Sequence, residues 1–421
     1  MNPPTGSQFD PRSVSSQSSL RVAWYPDEGS ERHPYLLRKI VMQTQLTISV
    51  ENLAPTNGTL LTPVWFGIHN GTFDTYDRGR PASLGLERIA EDGNVDDLNR
   101  EFSLAGFGTV QGAIVGAAGT PGPIDVGETA TQTITLDGSA ATSRFFSYAS
   151  MLLPSNDFFV ANGNERAHQI FDDQGNFIGA DFIILGSQVL DAGSEVNDEI
   201  PANTAFFGQQ TPNTGVIENG VVQLATGFIP GGAILSTPQF ATADFTAANY
   251  QVARIRIFNT LNGDEDRNKL NGTEQDDLIY GNGGSDRLYG KGGNDRLVGG
   301  FGDDWLEGGE GDDELYGSEG SNSLRGGNGD DRLFGGGFNR LIGGNGGDRF
   351  ILTAGEGFDI VTDFSFEDGD RLSLSDGLQF SSLGITATGR NGRHTVISAG
   401  DDDLVILRNV SAISVTESVF A

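Results

Sequence analysis

Two hydrophobic rhythms divide this chain. Between Met42 and Phe258, short runs such as LTISVEN, TQTITLDG and ARIRIFN alternate apolar and polar residues and are cut by frequent Gly, Pro and Asn. A period of two places one face of each strand on a core, and closely spaced turn residues keep the strands short. Residues 42–260 therefore predict an all-β sandwich. The best helical segment in this region is PASLGLERIAED, from Pro81 to Asp92, and little else reads as a helix.

Beyond Asn262 the rhythm changes. Leu270, Ile279, Leu288, Leu297, Leu306, Leu315, Leu324 and Leu333 recur every nine residues, followed by Leu341 one residue early and Phe350 back in step. Such a period fits neither a helix nor a hairpin. Two residues before each apolar position stands an acid or its amide: Asn268, Asp277, Asp286, Asp295, Asp304, Asp313, Asn322, Asp331, Asn339 and Asp348. Glycine supplies 26 of the 89 residues from 262 to 350, against 61 in the whole chain, which sets a boundary near Asn262. The unit reads Gly-Gly-x-Gly-x-Asp-x-apolar-x, clearest in GGFGDDWLE and GGNGDDRLF.

That unit resembles the nonapeptide already known from RTX, or hemolysin-type, repeats, and the resemblance implies a parallel β-roll over residues 262–350 that binds Ca²⁺. Each nonapeptide supplies one short strand and one turn, two make a full coil, and glycine permits the positive φ and close backbone approach of the turn. Coils stacked ~4.8 Å apart bring turns of residues i and i+18 together. Each gap then offers carboxylate and glycine carbonyl oxygens to a hard cation that takes roughly six to eight of them. The inward apolar position builds a ladder too thin to fold alone. The candidate ligands are Asp277, Asp286, Asp295, Asp304, Asp313, Asp331 and Asp348, with turn glycines Gly283, Gly292, Gly302, Gly311 and Gly329.

Alternate repeats share a flank of the roll. One flank carries Asp277, Asp295, Asp313, Asp331 and Asp348; the other carries Asn268, Asp286, Asp304, Asn322 and Asn339. An amide offers one neutral oxygen where an acid offers a charge, so calcium is expected to fill the first flank and to thin toward the C-terminal end of the second.

Charge agrees with this picture. With 57 acidic against 26 basic residues and a formal net charge of -31, the chain as a whole repels nucleic-acid phosphates and anionic headgroups and attracts cations. It has no Cys, which removes disulfides, thiolate metal sites and a Cys nucleophile. No apolar run approaches the roughly 20 residues that cross a bilayer. Residues 1–41, rich in Ser, Pro and Arg, lack the order of a signal peptide and are expected to be disordered or to precede a true start at Met42. After Phe350 come strand-like segments, FILTAGEGFDIVTDF, RLSLS, HTVIS, LVILRNV and SVTESVFA. Residues 351–421 resemble the cap of type I secretion substrates, which implies an uncleaved C-terminal export signal read by the secretion machinery.

The first region is similar to the spondin N-terminal domain. The resemblance rests on TPVWFGIHNG, PASLGLERIAEDG, SMLLPSNDFFVANG, LDAGSEVNDE and YQVARIRI. It implies a C2-related β-sandwich holding one calcium ion, with Asp157 of PSNDFF and Asp191 and Glu195 of DAGSE as ligands. Glu195 departs from the family pattern, which has Asp there. The cluster Asp191, Glu195, Asp198 and Glu199 concentrates like charge, which costs energy unless a cation or solvent relieves it. FDDQGNF, from Phe171 to Phe177, is a weaker candidate, because Asp-Gln-Gly makes a turn without help.

An enzyme is not expected. The histidines are His33, His69, His168 and His394, none of them in a His-Glu-x-x-His helix, and no Gly-x-Ser-x-Gly elbow is present. His69, in an apolar strand, reads as structural. The expected function is a secreted, noncatalytic matrix, glycan or cell-surface binding module; the alternative is a secreted hydrolase with an unfamiliar site in the sandwich.

Overall fold

The computed structural model describes residues 43–117, 122–164, 166–205, 207–209, 215–355, 357–375 and 377–420. The expectations for residues 1–41 and for a start at Met42 lie outside them.

The N-terminal region is two sheets around one core. Strand Gln43–Asn52 runs antiparallel between Thr129–Asp137 and Gln251–Asn262, and Ala180–Leu185 joins the far side of Gln251–Asn262. Its alternation buries Leu46, Ile48 and Val50 completely. The second sheet places Val64–His69 between Gly108–Ile114 and Phe145–Leu153, then continues through Phe158–Ala161 and Leu190–Asp191. Phe66, Ile68, Phe146 and Phe158 meet the first sheet in a shared core. Each fully buried side chain of this size contributes about 1.5–3 kcal/mol.

Strand Val64–His69 is buried at every position, which is why its sequence shows no alternation. Its other face is covered by two helices, α1 (Leu84–Asp92) and α2 (Asp96–Ala105), which pack Leu86, Ile89, Leu98 and Phe102 around Trp65. The sequence pattern places α1 from Pro81; it begins at Leu84 because the Ser83 hydroxyl accepts from the Leu86 N–H and caps the first turn. Helix α2 is not anticipated by the apolar pattern, since only Leu98 and Phe102 of its residues are buried. Its signals are weaker: that i, i+4 pair, Asp96 and Asp97 in the first turn, and Gly106 in the left-handed conformation just past its end.

The repeats form a parallel roll of two sheets. In one, Asp277–Gly283, Arg296–Phe301, Glu314–Glu319, Arg332–Phe334 and Arg349–Leu352 stack in register; in the other, Lys269–Asn271, Arg287–Gly292, Trp305–Glu310, Ser323–Asn328 and Arg340–Asn345 do the same. Ile279, Leu288, Leu297, Leu306, Leu315, Leu324, Leu333, Leu341 and Phe350 are all fully buried between them.

Both ends of the roll lie beyond the bounds read from glycine. At the start, Gln251–Asn262, the last strand of the sandwich, pairs in parallel with Asp277–Gly283, so sandwich and roll share one sheet. At the finish, Asp359–Val361 and Arg371–Leu374 add one more rung to each roll sheet, with Val361 opposite Leu341 and Leu372 opposite Phe350. The spacing between stacked acids stretches there to 20 and 22 residues, which hides the period while the inward positions stay apolar. Antiparallel strands Leu383–Thr388, His394–Ala399 and Asp402–Leu407 then close the second sheet.

Candidate calcium-binding ladder

Stacking converts the repeat acids into two ladders with a fixed hydrogen-bond pattern. The backbone N–H of Asp277 donates to Oδ1 of Asp295, that of Asp295 to Asp313, and that of Asp313 to Asp331, each at 2.8 Å. Asp331 and Asp348 continue the series to Asp348 and Asp370 at 3.0 Å. On the other flank Asn268 donates to Asp286 and Asp286 to Asp304 at 2.8 Å, and Asp304 to Asn322 at 2.9 Å. One oxygen of each acid is therefore spent on the coil before it.

The second oxygen is not. Oδ2 of Asp286, Asp295, Asp304, Asp313, Asp331 and Asp348 is buried with no hydrogen-bond partner. A buried, unpartnered carboxylate oxygen is costly, and six at equivalent positions, four on one flank and two on the other, point to a ligand that completes them. Around each one lies a pocket bounded by glycine backbone. A Cβ on Gly308 would collide with the Asp313 carboxylate, and one on Gly290 would collide with Oδ2 of Asp295 and lie 2.6 Å from the Gly308 carbonyl oxygen. The donors are all oxygen, which suits Ca²⁺ and not a soft metal. Among the described residues no group of three or more His, Cys, Asp or Glu side chains converges on one point; each turn offers one carboxylate and supplements it with backbone carbonyls.

Protonation is another relief for these groups. Burial, with the charges of Asp313 and Asp277, pushes Asp295 up to about 9. Asp331 rises to about 8 and Asp313 and Asp348 to about 7, again chiefly through burial.

The ends of the ladder are closed differently. Oδ2 of Asp277 accepts from the N–H and hydroxyl of Thr273, and Oδ2 of Asp370 accepts from the Ser365 N–H at 2.8 Å. Backbone donors thus fill at Asp277 the place that is unpartnered from Asp295 onward. On the second flank, Nδ2 of Asn322 points unpartnered into its site and Nδ2 of Asn339 donates to Asp359, so amide N–H groups stand where a cation needs oxygen. The turn glycines also need a correction in two repeats. Gly302, Gly311 and Gly329 hold φ between 116° and 129°, but the corresponding residues in the earlier repeats are Gly284 and Gly293, one residue after Gly283 and Gly292. The reason is a shifted pattern, Gly-x-Gly-Gly, in which Asn282 and Lys291 adopt positive φ and Gly283 and Gly292 end strands.

In the sandwich, the late loop brings Asp157 and Asp191 together. Asp157 Oδ2 accepts from the N–H groups of Ser194 and Glu195 at 3.0 and 3.1 Å, and the Asn197 amide bridges Asp157 Oδ1 and Asp191 Oδ2. Burial, reinforced by the neighbouring acid, raises the pKa of Asp157, and burial raises that of Asp191. Glu195 joins this pair through its backbone only. Its carboxylate accepts from the Gly215 N–H through Oε1, and its buried Oε2 has no hydrogen-bond partner. Sequence reasoning did not single out Glu91 of α1, which burial pushes up to about 7 with the charges of Glu195 and Glu87 adding to the shift. Glu199 braces the Ile229 and Ile234 N–H groups, and Asp198 accepts from the Ile200 N–H. Asp172 accepts from Gln174 and Asn176, an ordinary turn.

His69 is fully buried and engaged. The Gly71 N–H donates to its Nδ1 at 3.0 Å, so the ring proton sits on Nε2 and is directed to Ser147 Oγ at 2.9 Å. A histidine in that tautomer cannot take the proton of Ser147.

Residues 54–193 match the Spondin_N family, and residues 262–297, 289–324 and 307–342 match the RTX calcium-binding nonapeptide repeat. No curated protein matches the chain. Among solved structures, the extracellular lipase LipA of Serratia marcescens is 17% identical over 38% of this chain and 40% of that one, with a TM-score of 0.21. The AlgE6R3 subunit of the Azotobacter vinelandii mannuronan C5-epimerase is 21% identical over 38% of this chain and 80% of that one, with a TM-score of 0.20. The chain thus spans about two-fifths of the lipase's length.

Proposed function

We propose that this chain, which joins a spondin N-terminal domain to RTX calcium-binding repeats, is a secreted, noncatalytic binding module of the extracellular matrix or cell surface whose roll folds when calcium arrives. The six buried, unpartnered Oδ2 atoms support this reading above all, because they make the metal-free roll a state with uncompensated cost. When bound, calcium supplies the positive charge that stacked carboxylates require. The residues themselves do the rest. Asp286, Asp295, Asp304, Asp313, Asp331 and Asp348 present one oxygen each, glycine carbonyls complete the donor set, and backbone N–H groups hold the other carboxylate oxygens in place. In the sandwich, Asp157 and Asp191 are the pair that would hold one further ion.

Low calcium inside the cell leaves such a chain unfolded and fit for threading, and millimolar calcium outside folds it. Extracellular calcium modules bind with dissociation constants on the order of 10⁻⁴ to 10⁻³ M, which separates the two compartments. On this reading the C-terminal residues 351–421 carry a type I export signal. Circular dichroism of the full chain in chelator and in millimolar calcium tests the proposal. A calcium-driven gain of β signal is expected; a roll equally ordered in chelator at neutral pH rules the switch out.

A further inference from the structure

Arg267, Arg287 and Trp305 line a cleft of about 280 Å³ on the second flank of the roll, with Ser285, Asp286, Asp303 and Asp304 also in its wall. Arg287 and Trp305 are cross-strand partners in the parallel register, and both face outward because the next residues, Leu288 and Leu306, are fully buried. Arg296 and Arg332 on the other sheet both hold Glu314, whereas neither Arg267 nor Arg287 forms an ion pair among the described residues. In a chain of net charge -31, two guanidinium groups lining one cleft without a salt bridge are a feature to explain, even with the charge of Arg267 acting on the Asp286 carboxylate. Trp305 is 37% exposed, its indole N–H reaches toward Glu307 at 3.5 Å, and among the described residues no ring stacks on it.

The chemistry of the three groups is complementary to one kind of ligand. Guanidinium forks grip carboxylates in two-point contact. An exposed indole offers a flat apolar face to the C–H face of a sugar ring. The same outward column continues along the sheet from Lys269 through Arg287, Trp305 and Ser323 to Arg340, one residue per rung of ~4.8 Å, so a polymer lying along the roll axis meets cations repeatedly. This column itself carries no acid, the nearest sheet acid being Glu307 of the neighbouring column beside Trp305, so the overall negative charge does not describe it. We propose that the cleft binds a uronate unit of an anionic polysaccharide, with Arg267 and Arg287 on the carboxylate and Trp305 stacked on the ring. This rests on the calcium reading above: Asp286 and Asp304 repel an anion until a cation engages them, so binding requires calcium.

Calorimetric titration of the full chain with trigalacturonate in millimolar calcium is the test, with maltotriose and inorganic sulfate as controls and circular dichroism on every sample. Trigalacturonate is expected to bind, sulfate and maltotriose to bind at least tenfold more weakly. Arg267→Ala with Arg287→Ala, and separately Trp305→Ala, are each expected to weaken binding about tenfold or more while leaving the calcium-induced dichroism intact. A calcium-folded chain that ignores trigalacturonate, or takes sulfate equally well, overturns the cleft assignment and leaves the calcium reading standing. Equal binding in chelator overturns the calcium requirement, and a missing dichroism change identifies the calcium reading itself as the failure.

Discussion

The side-chain amide of Asn259 donates to Oδ1 of Asp277 at 2.7 Å, across the seam where the last strand of the sandwich becomes the first rung of the roll. Asn259 stands 18 residues before Asp277, the same separation that links the repeat acids. Both residues are buried, and the strand that carries Asn259 is held antiparallel by Gln43–Asn52 and parallel by Asp277–Gly283. The sandwich edge therefore presents the roll with a ready template.

Replacing Asn259 with Ala leaves a buried carboxylate oxygen without its donor, at a cost of about 1–3 kcal/mol. The expected result is faster amide exchange in Asp277–Gly283 and a calcium midpoint moved to higher concentration. Protection unchanged from the parent chain would show that the template is unimportant.

The unpartnered oxygens set an ion count. Asp295, Asp313, Asp331 and Asp348 on one flank and Asp286 and Asp304 on the other give six candidate seats in the roll. Asn322→Asp replaces an amide whose Nδ2 is unpartnered by a second carboxylate oxygen, and it is expected to add one calcium per chain in equilibrium dialysis. Asp313→Asn is expected to remove one. Identical stoichiometry in all three proteins contradicts the assignment.

Acid should substitute for calcium. The pKa values of Asp295, Asp331, Asp313 and Asp348 lie at about 9, 8, 7 and 7 in the fold, against 3.8 for an unperturbed aspartate. A carboxyl with a raised folded pKa contributes stability that is fully present below its unfolded pKa and is lost as pH rises through the folded value. In chelator the roll is thus expected to be most ordered near pH 4, to lose stability progressively as pH rises from there, and to be least stable once pH passes about 7 to 9. With calcium the dependence reverses, since the metal needs deprotonated ligands. Thermal melts across that range, with and without calcium, check both signs.

Gly308 has an ordinary negative φ, so its need for glycine comes from space alone. A Cβ there meets the Asp313 carboxylate directly. Gly308→Ala is expected to destroy that one seat and to destabilise the calcium-loaded roll by about 1–3 kcal/mol. Melting in calcium should fall while the metal-free sandwich melts as before.

Much of this was legible along the chain. A nine-residue period with an acid two places before each apolar residue, through its resemblance to the RTX nonapeptide, implied the parallel roll, its inward ladder from Ile279 to Phe350 and the identity of the ladder acids, because stacking makes every coil repeat the last. Alternation indicated the β-sandwich, and the resemblance of DAGSE and PSNDFF to the spondin N-terminal domain implied that Asp191 and Asp157 share one site. Tertiary structure decided what local pattern cannot carry. Helix α2 exists because Leu98 and Phe102 cover Trp65, a contact with a strand far away in sequence. The Glu195 carboxylate turns from Asp157 to Gly215 because the loop backbone, and not the side chain, meets the aspartate. Asp277 and Asp370 are satisfied by Thr273 and Ser365 only because the coil ends where it does. Arg267, Arg287 and Trp305 converge because stacking places alternate repeats side by side, which no single nonapeptide shows. A repeating sequence specifies the repeat; the ends, seams and clefts depend on which distant residues the stack brings within reach.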